Sequence, residues 1–113
     1  MKIVTNNISL DELKKLALSR FGNLVKAVVD IDKKIMALDA ELHADEEALL
    51  LADGSKQENL WGINIYPEMS PADRIEFDSM INIKPHQANR SRYVEDQTIR
   101  EKIIRIVDKL ITS

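Results

Sequence analysis

The spacing of hydrophobic positions changes along the chain, and each change marks a new element. In SLDELKKLALSRFG, residues 9–22, Leu13, Leu16, Ala17 and Phe21 recur at helical spacing on one side. Ser9, followed three positions later by Glu12, has the form of a capping box, in which hydroxyl and carboxylate satisfy each other's free backbone N–H groups. Ile8 and Leu13 can add a hydrophobic staple, and Gly22 supplies the left-handed residue that ends a helix over about residues 9–21. In LVKAVVDIDKKIMALDA the period drops to two, with Val25, Ala27, Val29 and Ile31 on one side and Lys26 and Asp30 on the other. That is a strand, and the polar Asp32-Lys33 pair before KIMALDA predicts a tight antiparallel hairpin, although no glycine identifies the turn type.

EALLLADGSKQENLWGINIYP reads as a second hairpin, turning at Asp53-Gly54-Ser55 and returning through alternating Trp61, Ile63 and Ile65 until Pro67 stops it. The alternation places Trp61 in the core, and Gly62 marks a bulge or a close backbone approach. The two prolines of PEMSPAD make residues 67–73 a loop. RIEFDSMINIKP then predicts a fifth strand, with Ile75, Phe77, Ile81 and Ile83 on one face and Glu76, Asp78, Asn82 and Lys84 on the other. HQANRSRYVED has no period. It leads into QTIREKIIRIVDKLI, where Ile99, Ile103, Ile106, Val107 and Leu110 form the apolar stripe of a second helix capped by Asp96. The expected fold is α+β in the order α-β-β-β-β-β-α: a two-layer domain with an antiparallel sheet of about five strands and both helices on one face. The other face of that sheet would stay open.

With 113 residues the chain is the size of one domain, spanning residues 1–113. Hydrophobic residues at 44% supply enough apolar surface to offset the ordering entropy that keeps disordered chains unfolded. Sixteen basic against 19 acidic residues give a net charge of −3, so no overall positive field draws in nucleic acid, and such a role requires a local basic patch. The absence of cysteine excludes disulfides, thiolate metal ligands and a cysteine nucleophile. No apolar run reaches the length of a signal peptide or a bilayer span, which leads to the expectation of a cytoplasmic domain without membrane contact. ADGSKQ lacks the upstream glycine of a P-loop and reads as a turn; no other nucleotide fingerprint occurs, so no cofactor is expected.

Three stretches carry a resemblance: ELHADEEALLLADGSKQENLWGIN, EFDSMINIKPHQANRSR and VEDQTIREKIIRIVDKLI. They resemble a family of small bacterial and archaeal proteins classed as a domain of unknown function, over nearly the whole chain. The resemblance implies a stand-alone prokaryotic domain and carries over no catalytic residue.

Three groups of residues could bear chemistry. If residues 40–45 are extended, Glu41, His43 and Asp45 share one side, and imidazole with two carboxylates suits zinc, manganese or iron. At the strand rise, however, the outer two stand more than about 10 Å apart, so a bend is needed before one ion is gripped; the competing reading is an exposed strand end. Glu76 and Asp78, about 7 Å apart on the polar face, could divide acid and base roles and converge with Asn64, Tyr66 and Asn82, or could simply be solvated. KPHQANRSRYVED gathers Lys84, His86, Arg90, Arg92 and Tyr93, which suit an anionic ligand; the same arginines could equally pair with Asp78, Glu95 or Asp96 and fasten a loop.

Two functions follow. With no complete catalytic constellation, the first is a protein that binds a partner or self-associates through an uncovered edge strand. The alternative is a small toxin-like hydrolase acting on RNA or another phosphate ester, with His86, Arg90, Arg92, Glu76 and Asp78 as its catalytic set and Lys84 and Tyr93 as anion ligands.

Overall fold

The computed structural model describes all 113 residues. Two short strands, β1 (Lys2–Val4) and β2 (Ile8–Ser9), precede helix α1 (Leu10–Arg20). Ser9 Oγ accepts the Glu12 N–H at 3.1 Å, but the reciprocal half of the capping box is not made. The Glu12 carboxylate instead meets Lys2 Nζ at 2.5 Å. Gly22 adopts φ +93° and donates to Ala17 O at 2.7 Å, closing the helix as expected. β3 (Val25–Asp30) and β4 (Ile35–Leu38) form the anticipated hairpin. Its glycine-free turn is held by Asp30, whose Oδ1 accepts the N–H groups of Asp32 and Lys33 at 2.9 and 3.0 Å and whose Oδ2 accepts Ser55 Oγ at 2.6 Å.

The largest departure from the sequence reading is at residues 43–52, which form helix α2 (His43–Ala52) and not a strand. HADEEALLLA is rich in alanine, glutamate and leucine, the residues that lose least on entering a helix. Asp53-Gly54, with Gly54 at φ +98°, ends this helix and is not the tip of a hairpin. β5 (Leu60–Ile65) is the strand foreseen around Trp61. Of the predicted fifth strand only β6 (Ile75–Glu76) is regular, and the chain then leaves the sheet through two 3₁₀ turns, Met80–Asn82 and Pro85–Gln87. Helix α3 (Gln97–Leu110) starts at Asp96, whose Oδ1 accepts the Thr98 N–H at 2.8 Å, and ends in β7 (Ile111–Thr112).

The sheet has five strands, all antiparallel, in the order β1-β4-β3-β5-β6, so the α+β class, the strand count and the two terminal helices agree with expectation. β2 and β7 form a separate parallel pair. One face of the sheet meets α1 and α3 in a core that includes Leu13, Val29, Met36, Trp61, Ile63, Ile103 and Val107. The opposite face is not open. Val28, Ile35, Ala37 and Leu60 pack there under Leu50 of α2, giving three layers where two were expected. The near-continuous burial of VKAVVD and IMAL is what covering a sheet on both sides requires.

Candidate functional site

The segment after β6 is built largely from side chains that complete the backbone of β5. The Asn82 amide donates to Gly62 O at 2.9 Å and accepts the Gly62 N–H at 2.8 Å, doing the work of a neighbouring strand. A Cβ on Gly62 would stand 2.5 Å from Ser79 Cβ, so the close approach read from this glycine is real and the ladder runs through it without a bulge. Lys84 is buried, donates to Gln57 O and Leu60 O at 2.6 and 2.5 Å, and lies 4.3 Å from the centre of the Trp61 ring. Burial pushes its pKa down to about 8. Asn89 Nδ2 reaches the carbonyls of Asn82, Ser91 and Tyr93 at 2.7–3.1 Å, while its Oδ1 accepts the Glu95 N–H at 2.8 Å. The Glu95 carboxylate accepts from Ser91 Oγ and from the N–H groups of Ser91 and Arg90, which hold its pKa below the usual range.

Arg92 Nε donates to Asp78 Oδ1 at 2.7 Å, and the exposed Tyr93 ring packs edge-on against Phe77 beneath the Arg100 guanidinium. His86 and Arg90 are exposed. None of Lys84, His86, Arg90, Arg92 or Tyr93 lines the cleft bordered by Thr5, Lys34 and Lys109 or the one bordered by Pro71, Phe77 and Ile104.

A second polar cluster sits at the start of α2. Lys26, Asn64 and Glu76 are direct cross-strand neighbours on β3, β5 and β6. Asn64 Nδ2 donates to Glu76 Oε1 at 2.8 Å, and Tyr66 OH donates to the same oxygen at 3.1 Å. Burial and that carboxylate raise the Tyr66 pKa. His43, the first residue of α2, is buried with Nε2 2.8 Å from Ile63 O, a contact only an Nε2–H can make. Nδ1 is then left with its lone pair and no protein partner. Burial lowers the His43 pKa against the opposing pull of the Ile63 carbonyl, and the nearby charges are Lys26, Asp78 and Arg92. The structure therefore brings Glu76, Asp78, Arg92, His43, Asn64 and Tyr66 to one end of the sheet.

Asn82 does not join them, because its amide is spent on Gly62. His86 lies by the other end of β5, where Lys84 and Gln87 bond to the carbonyls of Leu60 and Glu58. Asp45 cannot share a ligand with His43, since positions two apart on a helix face different ways. Glu41 lies outside the helix, 3.8 Å from Arg20. The helical start at His43 thus removes the alternation on which a shared metal site rested.

A third group escaped the sequence reading. Lys102, Arg105 and Lys109 occupy one stripe of α3, and the β3–β4 turn brings Lys33 and Lys34 against them across a cleft of about 700 Å³. Thr5 and Asn6 complete the rim, and Ile31, Ile106 and Leu110 line the floor. Asp32 is the single acid among the eleven lining residues. Lys34, Lys102, Arg105 and Lys109 have no carboxylate within ion-pair distance, and Lys33 Nζ is held at 2.9 Å by Asp53 O. The i, i+3, i+7 spacing of cations is visible in the sequence, but taken alone it reads as the solvated side of a helix.

The model of one family, DUF5674, described as a protein of unknown function, matches residues 2–110, and the chain belongs to that family. No curated protein and no solved structure matches the chain.

Proposed function

We propose that this member of the family is a binding domain whose partner carries phosphate groups, held in the cleft between α3 and the β3–β4 turn. The observation that carries the reading is the charge inversion there: five cations and one acid around about 700 Å³, in a chain whose net charge is −3. Cations gathered around one cleft repel one another, and a multivalent anion relieves that repulsion while accepting their hydrogen bonds. The test is titration of isotopically labelled protein with inorganic tripolyphosphate, followed by amide shifts. Shifts confined to residues 5–6, 31–34 and 102–110, together with at least tenfold weaker binding by Arg105→Ala (about 1.4 kcal/mol), support the reading. Shifts scattered over the surface, or none, overturn it.

One observation favours the hydrolytic alternative, acting on RNA or another phosphate ester. His43, its pKa lowered by burial, is anchored through Nε2 and leaves Nδ1 without a protein partner in the neighbourhood of Arg92 and Asp78, an arrangement suited to a general base beside a phosphate-binding cation. Incubating RNA with the wild type, His43→Asn and Arg92→Ala decides it. Cleavage lost in both variants supports hydrolysis, and equal background in all three removes it.

A further inference from the structure

Resting on the reading of the basic cleft as a phosphate site, we infer that its ligand is a small, multiply phosphorylated organic molecule and not a nucleic acid. Four features of the cleft point this way. Its volume of about 700 Å³ lies within the range of roughly 300–1,000 Å³ typical of small-molecule sites. The cations come from two separate segments that face each other across it, the α3 stripe and the Lys33-Lys34 turn, so they surround a compact anion and do not form one long track for a backbone.

The lining contains no aromatic residue, so the successive bases of a strand have no row of platforms on which to stack, and such stacking supplies much of the binding of single strands. Ile31, Ile106 and Leu110 instead form an apolar floor for an uncharged moiety, with Thr5 and Asn6 at the rim to hydrogen-bond its hydroxyl or amide groups. Finally, the lining holds five cations and one acid while the whole chain is negative, so the surface beyond the cleft is more acidic than the chain as a whole. A polymer extending beyond the cleft meets a remainder of the chain whose net charge repels phosphates, whereas a ligand that ends inside the cleft meets the cations that line it.

The division of labour is specific. Lys102, Arg105, Lys109 and Lys34 hold the phosphates, with Arg105 as the one group whose planar fork matches two phosphate oxygens in a bidentate grip. Asn6 and Ile31 hold the organic part. Charge therefore sets affinity for any polyphosphate, and the rim and floor set the preference among them.

The 113-residue chain is titrated with three probes at fixed ionic strength: ATP, inorganic tripolyphosphate and a short single-stranded RNA. ATP is expected to bind several-fold more tightly than tripolyphosphate, and Asn6→Ala with Ile31→Ser to abolish that margin. Equal affinity of ATP and tripolyphosphate, with no effect of the two substitutions, overturns the inference and leaves the phosphate site standing. RNA binding more tightly than ATP, and rising with length, likewise overturns it in favour of a nucleic-acid partner. Failure of all three probes to shift the cleft amides overturns the inference together with the reading it rests on.

Discussion

Replacing Glu46 by glutamine should stabilise the protein at neutral pH and leave it unchanged in acid. Glu46 is fully buried on the inner side of α2; its Oε2 accepts the Ala40 N–H at 3.1 Å, and its Oε1 has no partner. Burial pushes the carboxyl up to about 9, outweighing the opposing pull of the Ala40 N–H and Lys26, with Asp39 adding to the rise. Between the ordinary value of 4.5 and about 9 the folded protein holds a proton that the unfolded chain has released, so stability falls as pH rises through that window. Each pH unit costs about 1.4 kcal/mol, or about 3 kcal/mol by pH 7.

Glutamine keeps the shape and the acceptor for Ala40 but has no proton to lose. The gain of Glu46→Gln is therefore close to zero near pH 4.5 and about 3 kcal/mol at pH 7, a rise in Tm on the order of 10 °C for a domain of this size. Urea unfolding of both proteins at several pH values between these limits measures the gap. A gap that does not widen with pH, or a variant less stable than the wild type at pH 7, refutes the argument.

Other substitutions test the remaining physics. Gly62→Ala drives a methyl into Ser79 at 2.5 Å and should cost about 2–3 kcal/mol by urea midpoint; a neutral result means the segment after β6 is not packed as described. Ala88 sits at φ +61°, so Ala88→Gly should gain about 1 kcal/mol by relieving the left-handed strain, and a loss would argue against that backbone geometry. Lys84 gives up its proton near pH 8 when folded and near 10.5 when unfolded, so its burial costs stability below pH 8 and the cost is relieved as pH rises toward 10.5. Since its ammonium lies over the sole tryptophan, Trp61 emission should titrate with a midpoint near 8 in the wild type and stay flat in Lys84→Met; a flat wild-type profile contradicts it.

The elements that sequence periodicity revealed are those in which one face is wholly apolar. α1, α3, the β3–β4 hairpin and β5 all meet that condition, and their caps at Ser9 and Asp96 bond as their residue types demand. α2 fails it, because two of its three buried residues are His43 and Glu46, which leaves no apolar stripe to recognise. The predicted fifth strand alternates correctly through Ile75 and Phe77, but Asn82 and Lys84 are drawn inward by backbone groups of β5 and the adjacent turn, a demand no local pattern records. The convergence of Glu76 with Asn64 and Tyr66 was legible because alternation puts them on one face. The basic cleft was not, because it forms only when a turn and a helix more than sixty positions apart meet.

The Asn82–Gly62 pairing has a consequence for how copies of this chain meet. At this stretch of β5 the main-chain donor and acceptor are already saturated by an amide that cannot be extended into a further strand, so the rim is insulated against foreign backbone. Strand addition to the five-stranded sheet is left with β1, three residues long, or β6, two residues long, and the separate β2–β7 pair offers edges of only two residues each, so very few hydrogen bonds are gained. A self-complex of this chain would have to draw its affinity from side chains.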